Sequence, residues 1–103
     1  MEIKELQAQA ENIINRIDEK LGAKHDDELI LMHLTEELGE ISREIINPKL
    51  KREDKNKDNL GEEIADLIIL TSKLANNNSI DIENAISNKM KKLKERHKLK
   101  WQS

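Results

Sequence analysis

Leu34-Thr35-Glu36-Glu37-Leu38-Gly39-Glu40-Ile41 and Gly61-Glu62-Glu63-Ile64-Ala65-Asp66-Leu67-Ile68 decide the fold of this 103-residue chain. Both stretches set acids three residues apart inside an apolar pattern of helical period. On a helix of about 3.6 residues per turn, positions three apart differ by roughly 60° around the axis. Glu37 with Glu40, and Glu63 with Asp66, therefore each make a two-pronged acidic fork. Two such helices joined by a short connection pack antiparallel and can face the four carboxylates across one groove. The carboxylates repel, and a hard divalent cation with a preference for oxygen relieves the repulsion; Mg²⁺ also keeps waters and binds substrate phosphates. The pattern therefore points to an all-α protein with a magnesium site for phosphate chemistry.

Working outward, the segment Ile64 to Leu70 is apolar on nearly every side except at Asp66, as in a helix buried all round. A carboxylate there is costly unless a partner compensates its charge, and that cost marks a site. The helix is expected over about Leu60 to Asn77. The one before it starts at a cap on Asp26 or Asp27 and runs to about Ile46, where Pro48 ends it. Its expected buried seam is Leu34, Leu38, Ile41 and Ile45, with Glu37, Glu40 and Glu44 along the flank, His33 one turn earlier and Glu36 pointing away. Asn47 to Asn59 lacks periodicity and reads as a mobile, solvated connection, or as a lid whose lysines meet phosphates.

Ile3 to Leu21 repeats Ile3, Leu6, Ala10, Ile13, Ile14, Ile17 and Leu21 at three- and four-residue steps, a one-faced amphipathic helix that Gly22 stops. No chemistry is assigned to it. After the turn at Asn76 to Ser79, a fourth helix capped by Ser79 or Asp81 carries the seam Ile82, Ile86, Met90, Leu93 and His97. The expected architecture is thus a four-helix-bundle protomer, residues 1–103 forming one domain.

Charged residues make up 38% of the chain and hydrophobic ones 36%, with no Phe or Tyr and a single Trp101, so small aliphatic side chains must build the interior. Small domains bury little of their surface, and self-association into an oligomeric helical core is expected. Trp101 suits a docking anchor for a partner subunit. The net charge of −3 conceals a segregation: residues 89–100 hold seven Lys or Arg against Glu95 alone. Absent cysteines exclude disulfides and thiolate zinc sites. The first residues do not resemble a signal peptide and no run approaches 18 apolar residues, so a soluble, cytoplasmic protein without membrane contact is expected.

The two acidic words resemble the MazG-like all-α nucleoside triphosphate pyrophosphohydrolases, whose pattern is ExxE, an interval, then ExxD. Here that is Glu37-Leu38-Gly39-Glu40, an interval from Ile41 to Glu62, and Glu63-Ile64-Ala65-Asp66. Lys89 and Arg96 match the ends of a later basic signature, with Leu93 where an Asn is common; the likeness covers about residues 26–97. The resemblance implies a homodimer or dimer of dimers that hydrolyses nucleoside triphosphates, dNTPs or non-canonical NTPs, to the monophosphate and pyrophosphate. It further implies Mg²⁺, or Mn²⁺ in its place, on Glu37, Glu40, Glu63 and Asp66. Glu36, with Glu37 and Glu40, would serve catalysis by orienting or deprotonating water, and Lys89 and Arg96 would neutralise phosphate charge.

Blander readings compete. Glu36 and Glu40 are also placed to decorate an exposed helix and pair with Arg43, for only about 0.3–0.5 kcal/mol. His33 fits a packed residue better than a Mg²⁺ ligand. No Glu-x-x-His occurs, which disfavours a di-iron bundle. The basic last helix alternatively makes a non-catalytic nucleic-acid-binding or adaptor protein, although stacking aromatics are missing apart from Trp101, so nucleic acid is not the expected partner.

Overall fold

Side chains at the helix ends set the boundaries of α1 (Ile3–Leu21), α2 (Asp27–Lys49), α3 (Lys57–Asn77) and α4 (Ile82–Arg96). The computed structural model describes residues 1–54 and 56–100, and among them it contains no strand. Gly22 closes α1 in the left-handed region at φ 64°, where a side chain would be strained, and its N–H reaches the Asp18 carbonyl. Asp26, Asn56 and Asp81 cap the other three helices, their side chains accepting from Leu29 N, Asn59 N and Asn84 N. No described helix is long and apolar enough to cross a membrane.

Two boundaries differ from the sequence expectation. α2 does not stop at Ile46 but carries Pro48 inside its last turn. Proline removes only its own N–H bond there, and Leu50 N to Ile46 O at 3.1 Å with Lys51 N to Pro48 O at 3.2 Å still close the turn. α3 starts three residues earlier than Leu60, because Asn56 caps it and gives its own N–H to Glu44 Oε2 at 3.2 Å. The connection expected over Asn47 to Asn59 shrinks accordingly to residues 50–56. Lys55 in that connection, and Trp101, lie outside the described residues.

α2 and α3 form an antiparallel hairpin, which Asn77 and Asn78 close at its far end by donating to Asp27 at 3.2 and 3.0 Å. α1 lies antiparallel on α3, and α4 packs chiefly on α1. Much of the α1–α3 seam is polar. Gln7 Nε2 donates to Asn76 Oδ1 and to the Ile80 carbonyl, both at 2.9 Å, while its Oε1 accepts from Ile82 N at 3.0 Å. Buried Lys73 donates to Glu11 at 2.7 Å and Asn15 at 3.2 Å. The Glu11 carboxyl titrates below its ordinary range, chiefly because Lys73 bonds its charged form.

The apolar interior is correspondingly small: Ala10, Ile14, Ile30 and Ala75 are buried. This corrects three expected seams. Leu38 is 57% exposed and Ile45 is also exposed, so the buried contact of α2 runs through Ile30 instead. α3 is not buried all round, since Ile64 and Ile68 face outward. α4 has no buried residue, and Ile86, Met90 and Leu93 are all exposed. In each case the predicted stripe is present, but among the described residues it stays exposed.

Candidate active site

The antiparallel hairpin brings the two acidic forks together, as their spacing implies. Glu37 is pushed above the ordinary carboxylate range, first by desolvation and then by repulsion from Glu40, Asp66, Glu63 and Glu36. Glu63 is pushed up as well, again by desolvation first, then by Glu44 and Glu40, with Arg43 opposing and Asp66 adding to the rise. Glu37 Oε2 and Glu63 Oε2 are sealed from solvent without a hydrogen-bond partner. A buried carboxylate oxygen without a donor is an unmet demand for positive charge.

The burial falls on different acids from those the sequence singled out. Asp66, which the apolar surroundings of α3 seemed to enclose, is exposed, whereas Glu37 and Glu63 carry the sealed oxygens. Among the described residues no three such side chains converge on a common point for a metal ion. The donor set is nevertheless all carboxylate, the oxygen chemistry that Mg²⁺ and Mn²⁺ take, and the two orphaned oxygens fit such a cation.

Glu37 and Asp66 open onto a cavity of about 320 Å³ lined by α1, α2 and α3. Ile13, Ile14 and Ile17 form one wall, Ile69 and Leu70 another, and His25 and His33 contribute the remaining polar surface. The imidazoles stack with centroids 5.2 Å apart. His25 is fixed from behind, its Nδ1 lying 2.6 Å from Asp18 Oδ1 while its backbone N–H donates to Asp18 Oδ2 at 2.8 Å. Burial alone would raise the Asp18 carboxyl, but these two bonds outweigh it and hold the group below its ordinary value. His33, its side chain partly exposed, lies 3.7 Å from Glu36, which is exposed.

Lys89 and Arg96 are not brought to the acids of their own chain in the same way. Both are exposed on α4, which packs chiefly on α1, and neither is among the main charges acting on Glu37 or Glu63. Asp18, His25, Lys73 and the wall of α1 were missed by sequence reasoning. Their one signal is that Gln7 and Asp18 stand in register with Ala10 and Ile14, polar residues on the buried face of α1. In a larger cleft of about 540 Å³, Asp18, Asp27 and Lys73 are already bonded to His25, Asn77 and Glu11.

The sequence pattern of the MazG nucleotide pyrophosphohydrolase domain matches residues 24–101, which include both acidic forks and leave α1 outside. The chain belongs to the MazG family. The match extends a little beyond residues 26–97 at both ends and takes in the basic helix. No curated protein and no solved structure matches the chain. Membership places the paired acids of this MazG chain in a family of nucleotide pyrophosphohydrolases with an all-helical fold.

Proposed function

We propose that this MazG protein hydrolyses nucleoside triphosphates, dNTPs or non-canonical NTPs, to the monophosphate and pyrophosphate with Mg²⁺, acting as a homodimer or dimer of dimers. The observation that carries the reading is the pair of sealed, unpartnered oxygens on Glu37 and Glu63, one from each acidic fork. Glu37, Glu40, Glu63 and Asp66 would hold the cation, which supplies Lewis acidity toward phosphate oxygens and lowers the pKa of a bound water. Glu36, on the exposed side of the Glu37 fork, orients or takes a proton from the attacking water. Lys89 and Arg96 balance phosphate charge as the transition state spreads it over oxygens. The cavity lined by the α1 isoleucines and the His25–His33 stack receives the nucleoside, apolar walls covering its faces and the imidazoles meeting its polar edge.

A pyrophosphate-release assay over the common NTPs and dNTPs tests this, with Mg²⁺ or chelator and beside the Glu40→Gln variant. Release is expected only with metal, and loss of Glu40 should cost at least about 100-fold, more than the outer-shell substitutions that weaken metal sites. Release that survives chelation, or Glu40→Gln with undiminished turnover, would sink the assignment.

A further inference from the structure

His25 lines the cavity with its hydrogen-bonding polarity fixed, and the residue that fixes it, Asp18, stands on α1, outside the stretch that the family pattern covers. Both side chains are nearly enclosed, His25 at 15% and Asp18 at 11% exposed. Both oxygens of Asp18 are committed: Oδ2 accepts from the His25 backbone N–H at 2.8 Å, and Oδ1 lies 2.6 Å from its Nδ1. Despite burial these bonds hold the carboxyl below its ordinary value, so at neutral pH it is ionised and can only accept. Nδ1 must therefore carry the proton, and the neutral ring is left with a bare lone pair on Nε2.

The cavity offers little else with which to read a base. The α1 isoleucines, Ile69 and Leu70 have no hydrogen-bonding side chain, and Glu37 and Asp66 are assigned to the cation. His33 stacks on His25, but its Nδ1 is 3.7 Å from Glu36, too far for a hydrogen bond to fix its polarity. An acceptor of fixed polarity in an apolar wall separates an amino from an oxo group at the same place on a base. The amino group donates to it, whereas the oxo group sets lone pair against lone pair with water excluded. We infer that His25 Nε2 accepts from the exocyclic amino group of the base, with Asp18 as its positioning residue, so that the site takes amino-bearing nucleotides in preference to their oxo counterparts. The inference rests on the nucleoside occupying this cavity, as in the pyrophosphohydrolase reading.

Asp18→Asn reverses the polarity. Its one amide oxygen is needed by the His25 backbone N–H, so the amide NH₂ turns to Nδ1, the ring proton moves to Nε2 and the acceptor becomes a donor. Imidazole nitrogen NMR at about pH 8, above the ordinary histidine range, should show His25 protonated at Nδ1 in the wild type and at Nε2 in Asp18→Asn, the signal being assigned by its loss in His25→Gln. Selectivity is read from kcat/KM for pyrophosphate release with dCTP against dUTP and dATP against dITP, and from NMR titration with the matching monophosphates. The wild type should favour the amino member of whichever pair it accepts by at least about 10-fold. Asp18→Asn should lose or reverse that preference, and His25→Gln, whose amide both donates and accepts, should bring the ratio close to one. Circular dichroism confirms that the variants are folded; if Asp18→Asn is not, the wild-type spectrum and His25→Gln decide. No amino preference in the wild type, a wild-type ring protonated at Nε2 or at both nitrogens, or unchanged ratios in the folded variants overturns the inference. If the wild type releases no pyrophosphate from any of the four, the enzymatic reading has failed and the monophosphate titration decides the inference by itself.

Discussion

Glu63 concentrates the cost of the site in one side chain. Its folded carboxyl is raised above the ordinary value of 4.5, so the fold holds a proton that the unfolded chain has already released. Stability from this group is full below 4.5 and is lost as pH rises through the raised value. At neutral pH Glu63 thus opposes folding, and the cation we propose for the site would relieve that cost. Glu63→Gln should accordingly raise the melting temperature in chelator and remove the further rise that Mg²⁺ gives the wild type, as differential scanning fluorimetry would record. A lower melting temperature in chelator would mean that Glu63 is a structural acid. Asp18 has the opposite sign: its folded value lies below the ordinary 3.8, so its contribution is full above 3.8 and disappears as pH falls through the depressed value. Urea melts should show wild type ahead of Asp18→Asn at neutral pH, with the margin closing as pH falls below about 4.

The elements show what the sequence could and could not disclose. The bounds of α1 were legible to the residue, because Ile3 to Leu21 repeats cleanly and Gly22 alone supplies the left-handed stop. The pairing of Glu37–Glu40 with Glu63–Asp66 was legible too, since helical period fixes each fork and a short connection fixes their antiparallel packing. The polar α1–α3 seam was not, because Gln7, Glu11 and Asn15 read as one solvated face until Asn76 and Lys73 arrive from more than fifty residues away. Nor could a chain-local pattern tell that the stripes of α2, α3 and α4 would stay open, since exposure depends on what else is present. The seam has a measurable consequence. Lys73→Ala leaves Glu11 without its cation, and because Glu11 is partly exposed and water screens it, the loss should be about 1–2 kcal/mol rather than that of a fully buried pair. Replacing both partners, Glu11→Leu with Lys73→Met, should recover most of that loss in the same denaturation experiment; additive losses would show that each side chain acts alone.

For the whole molecule, the dimensions accord with the homo-oligomer that we propose. Its radius of gyration is 16.7 Å, against about 13 Å for a compact chain of 100 residues. Leu31, Leu38 and Ile45 on α2 recur at intervals of seven and stay exposed, and Ile64 and Ile68 of α3 are exposed as well. Exposed apolar side chains in such rows are stabilised by covering them, and in the homodimer that we propose a second hairpin presenting the same residues would supply the cover about a two-fold axis. Light scattering at micromolar concentration should give two or four times the chain mass. Leu38→Glu discriminates the cause: in a single chain the new charge faces water and costs little, whereas in the proposed assembly it would meet apolar side chains from the neighbour. The variant should retain its helical circular dichroism while its mass falls toward that of one chain. An unchanged mass would remove the α2 stripe from the interface, and loss of helicity without a change in mass would show that Leu38 supports the protomer itself.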